Sequence, residues 1–180
     1  MFRRRPSPQP RAAFMRSSEV PVVRTATTGD LLGLVKSDPY AREHPERCGL
    51  LAASIDRGEC HAAFVGEHAV GYIVFNYSFF GRGFVPLVVV APSMRRQGVA
   101  QLLFAAVMAQ CQSESLFTST NSSNIEAQRL LERLGFKRSG HIENLDDGDT
   151  ELVYFKPCAL AAAGANPCTA PVDRTKLRQK

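Results

Sequence analysis

An α/β (α+β) domain is what the sequence predicts, on three observations. Residues Phe84 to Cys111 read as a buried strand, a tight basic turn and a helix with one apolar face. Hairpin signals stand before that unit and near the end of the chain, so neighbouring strands pair antiparallel there. A second amphipathic helix, from Ser123 to Gly135, lies between the unit and the last hairpin. The resulting succession is β-α-α-β-β-β-α-β-α-β-β, and 180 residues suit one domain with a sizeable core.

Taken in order, Pro21 to Ala26 predicts the first strand, and Thr28 with Asp30 caps a helix running to Leu34 or Lys36. Pro45 to Arg57 predicts a second helix, interrupted by Gly49. Glu59 to Val65 and Ala69 to Tyr77 follow as strands joined by a short turn at Gly66, Glu67 and His68. Ser78 to Gly83, SFFGRG, is expected as a loop whose phenylalanines either staple the core or line a substrate pocket. Val85 and Leu87 to Val90 form a run rich in β-branched residues, expected to be buried on both faces. Pro92 and Ser93 mark the turn after it, and Val99, Leu102, Leu103, Ala106 and Val107 recur at helical spacing. Ser115 to Thr120 is the next strand and Asn121 to Asn124 a polar turn. There Ser123 and Glu126 make an S-x-x-E capping box for a helix that buries Ala127, Leu130, Leu131 and Leu134 and ends at Gly135. His141 to Leu145 and Thr150 to Lys156 pair across Asp146, Asp147, Gly148 and Asp149.

Net charge argues against a nucleic-acid surface on the folded part. The five arginines of residues 1–18 and the net +3 of residues 159–180 exceed the whole-chain +5, so residues 19–158 are net −3. Residues 1–18 are expected to be a disordered basic tail, with an organelle transit peptide as the other reading. Residues 158–180, alanine-rich and broken by prolines, are expected to be a flexible tail, leaving 19–157 as the domain. Phosphate contacts by these tails would be non-specific, so no specific nucleic-acid partner is expected. No run is apolar for long enough to cross a membrane.

The five cysteines, Cys48, Cys60, Cys111, Cys158 and Cys168, show no CxxC spacing, which points to a reducing cytoplasm rather than a disulfide framework or zinc site. Cys111 reads as a packing residue, and the four histidines lack metal-ligand spacing, so no metal is expected.

The basic turn carries the chemistry. A helix start leaves its first amides without intrahelical partners, and the helix dipole favours an anion there. Gly98 removes the Cβ that would block approach, and Arg95 and Arg96 add fixed positive charge. Neither GxxxxGK[ST] nor GxGxxG is present. Arg95-x-x-Gly98-x-Ala100 resembles the Q/R-x-x-G-x-G/A pyrophosphate loop of the GNAT acetyltransferases. Asn124, Ala127, Leu130, Gly135 and Phe136 resemble that family's second signature, N-x-x-A-x-x-L-(Y)-x-x-x-G-F, in the right order. The resemblance covers roughly residues 20–157.

It implies a mixed, mostly antiparallel central sheet of six to seven strands flanked by about four helices. It also implies acetyl-coenzyme A as co-substrate and direct attack of a primary amine, on a small molecule or a protein, within a ternary complex. By position, the backbone of Val88, Val89 and Val90 would pair with the pantetheine arm. Arg95 and the amides of Arg96, Gln97, Gly98, Val99, Ala100 and Gln101 would hold the pyrophosphate, and Asn124 would bond the arm. A homodimer is left open.

Two family positions differ. Leu131 stands where many members have a tyrosine acid, and Ser119 where some have a glutamate base, while the central strand carries Pro86 rather than an acid. The catalytic acid and base are therefore unassigned. Tyr77, Glu143 and Tyr154 are candidates from elsewhere, Tyr77 and Glu143 also for contact with the substrate. The acidic group Glu143, Asp146, Asp147, Asp149 and Glu151 either attracts a cationic amine or simply makes a solvated hairpin tip, the latter favoured for the aspartates. The alternative to an enzyme is a non-catalytic acyl-coenzyme A sensor or interaction module.

Overall fold

Seven strands form one sheet in the order β1-β2-β3-β4-β5-β7-β6 in the computed structural model, which describes residues 20–158. The expected tails at 1–18 and 158–180 lie outside those residues, apart from Cys158. The strands are β1 (Val22–Thr25), β2 (Cys60–Val65), β3 (His68–Phe79), β4 (Arg82–Val90), β5 (Ser115–Asn121), β6 (Lys137–Asp146) and β7 (Asp149–Pro157). The helices are α1 (Leu31–Ser37), α2 (Pro39–Glu43), α3 (Pro45–Asp56), α4 (Val99–Gln110) and α5 (Ile125–Arg133). Only β4 and β5 run parallel; every other neighbouring pair is antiparallel.

Two cores lie on opposite faces of the sheet. On one, Val99, Leu103, Phe104 and Val107 of α4 and Leu131 of α5 bury Ile73, Phe75, Val85, Leu116, Leu152 and Tyr154. Of the stripe expected for α4, Val99, Leu103 and Val107 are buried, whereas Leu102 is 37% exposed, Ala106 is half-buried, and Phe104, not expected there, joins the core. On the other, Leu34, Leu51 and Ile55 cover Ala62, Phe64, Tyr72 and Val74. A period-2 strand sends alternate side chains to the two faces, so β2, β3 and β4 serve both cores.

Helix α3 runs unbroken through Gly49, where an interruption was expected, and three further expectations about the strands and helices are corrected. A helix not expected from the sequence, α2, interrupts the chain between α1 and α3. Asp38 caps it, Oδ1 accepting from Tyr40 N at 2.9 Å, and Pro39 occupies its first turn. SFFGRG is not a loop: β3 runs to Phe79 and β4 begins at Arg82, joined by Phe80 and Gly81 at φ 52° and 71°. Two successive left-handed residues make the hairpin turn whose twist matches that of paired strands. Thirdly, Leu87 to Val90 are only half-buried, because one edge of β4 has no neighbouring strand at that level.

At the start of α1, Thr27 rather than Thr28 faces Asp30, whose Oδ2 accepts from Thr27 N at 2.7 Å and from Thr27 Oγ1 at 2.8 Å. Arg24 donates to the same carboxylate through both terminal guanidinium nitrogens, at 2.7 and 2.8 Å. These bonds, the Arg24 contact first, hold the Asp30 carboxyl well below the usual carboxylate range. A lowered native pKa stabilises the fold above the unfolded carboxyl pKa, and that gain disappears as pH falls through the native value. Asp30→Asn is expected to cost about 1 kcal/mol at pH 7 in urea unfolding, with the gap to wild type closing steadily below about pH 4.

Phe80 is 88% exposed, so its ring gains little from packing while its backbone sits in the left-handed region. Phe80→Asn should therefore raise stability by about 1 kcal/mol in the same measurement.

Candidate active site

β4 and β5 pair over only three residues, Gly83 with Leu116, Phe84 with Phe117 and Val85 with Thr118. Beyond them the strands part. Between Asn76 and Val74 of β3, β4 advances from Phe84 to Leu87, one residue more than its partner, so Val85 and Pro86 form a bulge. The bulge turns Val85 toward the α4 core and Leu87 toward the opposite core. Pro86 has no N–H to offer a neighbouring strand, and Thr118 Oγ1 donates to Val85 O at 2.9 Å at the apex of the gap.

Past the apex, β4 keeps β3 on one side only. Ala91 N donates to Val70 O at 2.9 Å, so by antiparallel alternation Leu87 and Val89 also turn their backbone groups toward β3. The backbone groups of Val88 and Val90 therefore face the gap. β3 is held close at this level by Gly71, where a Cβ would sit 2.7 Å from Val89 O and 3.3 Å from Val99 Cγ1.

The basic turn closes the open end of the gap. After a single helical turn at Pro92–Met94, Arg96 and Gly98 both adopt left-handed conformations, at φ 60° and 83°, with Gln97 Nε2 tied to Ser93 O at 2.9 Å. Gly98 is the N-cap of α4 and supplies no side-chain acceptor, so the first amides of the helix are left for an outside anion. A Cβ placed on Gly98 meets nothing within 4 Å, so the space before those amides is open; Arg95 and Arg96 are exposed beside it.

Asn124 stands across the gap, at the start of α5. It, and not Ser123, is the N-cap: Oδ1 accepts from Ala127 N at 3.1 Å, which leaves the amide Nδ2 as a donor. Ser123 is drawn off by Asp149 of β7, which accepts from the Ser123 hydroxyl, from Ser123 N at 3.1 Å and from Ser122 Oγ at 2.6 Å. The hydroxyl of Ser122, then that of Ser123, holds the Asp149 carboxyl below its ordinary range. Asp146 accepts from Asn121 Nδ2 at 2.6 Å. These two aspartates thus anchor the loop before α5, beyond making their own turn. Sequence reading missed this clamp because its partners lie 25 to 27 residues apart.

Two of the three acid–base candidates lie away from the gap, and the third is buried beside its apex. Tyr77 sits toward the closed end of the sheet, its hydroxyl accepting from Gln112 N at 2.8 Å. Glu143 is on the outer strand β6, with β7 and β5 between it and β4, and faces His141 at 3.5 Å. Tyr154 pairs with Thr118, but its ring is buried in the α4 core, which also contains Leu131 and Phe136. Leu131, 2% exposed, belongs to that core. Burial pushes the Cys60 and Cys158 thiols up to about 12, so neither is a thiolate at neutral pH.

The sequence pattern of the acetyltransferase (GNAT) family matches residues 25–136. The chain belongs to that family. A GNAT acetyltransferase from Bacillus cereus ATCC 10987 is 31% identical, with a TM-score of 0.72 over 77% of this chain and 97% of that one. The ribosomal-protein-S18-alanine N-acetyltransferase of Escherichia coli shares the fold at 19% identity, with a TM-score of 0.65 over 82% and 98%. So does yncA from Salmonella typhimurium, solved with its cofactor acetyl-CoA, at 17% identity, with a TM-score of 0.62 over 81% and 98%. No curated protein sequence matches the chain. The protein is thus an acyltransferase with the GNAT fold, its mixed sheet carrying five helices where about four were expected. No helix among the described residues is long and apolar enough to cross a membrane.

Because Gly71 brings β3, β4 and α4 together, Gly71→Ala is expected to cost about 1–3 kcal/mol in urea unfolding, with amide shifts centred on Val88 to Val90 by NMR.

Proposed function

We propose that the protein transfers the acetyl group of acetyl-coenzyme A to a primary amine by direct attack in a ternary complex. The observation that carries this reading is a gap between parallel strands, edged by the backbone of Val88 and Val90 and ending on the uncapped amides after Gly98. Such an edge accepts an extended amide-containing chain as a further strand, and such a helix start accepts a pyrophosphate. Val88, Val89 and Val90 would hold the pantetheine arm. Arg95 and the amides of Arg96 to Gln101 would hold the pyrophosphate, with Asn124 Nδ2 donating to the arm from across the gap.

The bound thioester supplies an activated acetyl carbon. The ammonium first gives one proton to solvent; the neutral nitrogen then forms the new C–N bond, the C–S bond breaks, and the second proton leaving nitrogen goes to the departing thiolate, which is released as the thiol. A lysine-like amine has a pKa of about 10.4, so only a small fraction is neutral at pH 7. The chain contributes orientation of the two reactants, and the free amide of Val88 or Val90 contributes a donor for charge growing on the acetyl oxygen. Neither Ser119 nor Leu131 is an acid or base in this range, so water takes the proton. The cytoplasm belongs to the same proposal: the four described cysteines, Cys48, Cys60, Cys111 and Cys158, are free thiols, as a reducing compartment keeps them.

Calorimetric titration of acetyl-coenzyme A, followed by thiol release with pooled amines, tests the reading. Gly98→Asp places a negative charge at the anion site and a side chain at φ 83°, and should weaken binding by more than about tenfold. Binding lost in the variant, with amine-dependent thiol release in the wild type, supports transfer. Binding without release across a broad panel would replace it with the sensor reading.

A further inference from the structure

Among the described residues, the face of the sheet opposite α4 and α5 is covered only in part. There α1 packs against β3 and α3 against β2, while the next strands carry a row of half-buried aromatic rings. Phe79 stacks on Phe84 at 5.1 Å between centroids, Phe79 meets Phe117 at 5.2 Å, and Phe117 meets Phe155 at 6.0 Å. Their common face follows from alternation. Val85, Leu116 and Tyr154 point into the α4 core, so their neighbours Phe84, Phe117 and Phe155 point the other way.

This row begins where the gap ends. Phe84 and Phe117 are paired one residue before Val85 and Thr118, the last pair before the strands part. Further along the same face of β5 comes Ser119, and on β7 Glu151 lies in line with Phe155. A chain bound along β4 from the Gly98 turn runs back toward that apex, so its reactive end arrives beside Phe84, Phe117 and Ser119. The surface there is an aromatic tray with one carboxylate toward its open end.

We propose that this tray binds the acceptor, and that the acceptor is a primary amine carried on an aromatic or branched aliphatic body. The body lies on Phe79, Phe84, Phe117 and Phe155, and Glu151 receives the ammonium before it loses its proton. A polyhydroxylated or polycationic amine would have to give up the hydration of several polar groups to lie on these rings, whereas an aromatic body covers them without that cost and stacks on them. The proposal rests on the acetyl-transfer reading for the direction of the bound chain. Its test is a binding measurement that needs no turnover.

Full-length protein, with and without coenzyme A, is titrated with 2-phenylethylamine, ethanolamine and 2-phenylethanol and followed by NMR. Shifts are expected at Phe84, Phe117, Phe155 and Glu151, with 2-phenylethylamine bound roughly tenfold more tightly than ethanolamine. Phe117→Ala should erase that preference, and Phe155→Leu, which keeps an apolar side chain, should reduce it several-fold if the first variant fails to fold. Glu151→Gln should remove the preference for the amine over 2-phenylethanol. Equal binding of ethanolamine, or shifts confined to other surfaces, overturns the proposal. So does a concentration-dependent mass in sedimentation that Phe117→Ala abolishes, which would make the rings a contact between copies of the chain. Tray binding together with an absence of thiol release for any amine would instead defeat the transfer reading and leave the tray standing.

Discussion

The parting of β4 from β5 beyond Val85 and Thr118 is the constraint on which the rest of the structure depends. A strand with unpaired amides and carbonyls is costly unless water or a ligand satisfies them. Here the separation is built in from three sides. Pro86 removes a donor, the bulge rotates the strand, and Thr118 engages the carbonyl of Val85 at the apex. β4 is kept straight enough to present Val88 and Val90 because β3 remains paired to its other edge and Gly71 allows the close approach.

Helix α4 links this opening to the stability of the domain. Val99, Leu103, Phe104 and Val107 are at most 2% exposed, and truncating Leu103 or Phe104 to alanine would cost on the order of 2–5 kcal/mol. That burial fixes the direction of the helix, and with it the direction in which its uncapped amides point. The anion site is thus held by apolar packing on the far side of the helix rather than by charged contacts of its own. Arg95 and Arg96 stand exposed beside it, ready to neutralise a ligand without bearing on the fold.

Across the gap the corresponding support is polar. Asp146 and Asp149, at the two ends of the β6–β7 turn, hold Asn121, Ser122 and Ser123 and so place Asn124 at the head of α5. The hairpin that reads as a solvated acidic tip is in part a clamp on the loop opposite β4. Glu151 has a different position from these aspartates, since strand alternation puts it on the face shared with Phe155 and Phe117.

What the sequence by itself determined are the features whose causes lie within a few residues. The apolar spacing from Val99 to Val107 and the glycine at 98 specify helix and turn together, and the Leu130–Leu131–Leu134 stripe with Gly135 does the same for α5. The β2–β3 and β6–β7 hairpins were legible from their turn residues, as the β3–β4 hairpin was not, and the anion-binding turn was legible from the missing cap. Even here local signals were overruled where a distant group competed: Ser123 is a good cap in isolation, yet Asp149 takes its hydroxyl and the role passes to Asn124. Pro86 was visible as an oddity in a strand, but its effect depends on the register of β3, which no local pattern specifies. Only the tertiary structure decided that Phe79, Phe84, Phe117 and Phe155, from four strands, form one surface at the apex of the gap. Helix periods and turn types are set by neighbours along the chain, whereas strand register, bulges and the face on which a ring emerges are set by pairing between segments far apart in it.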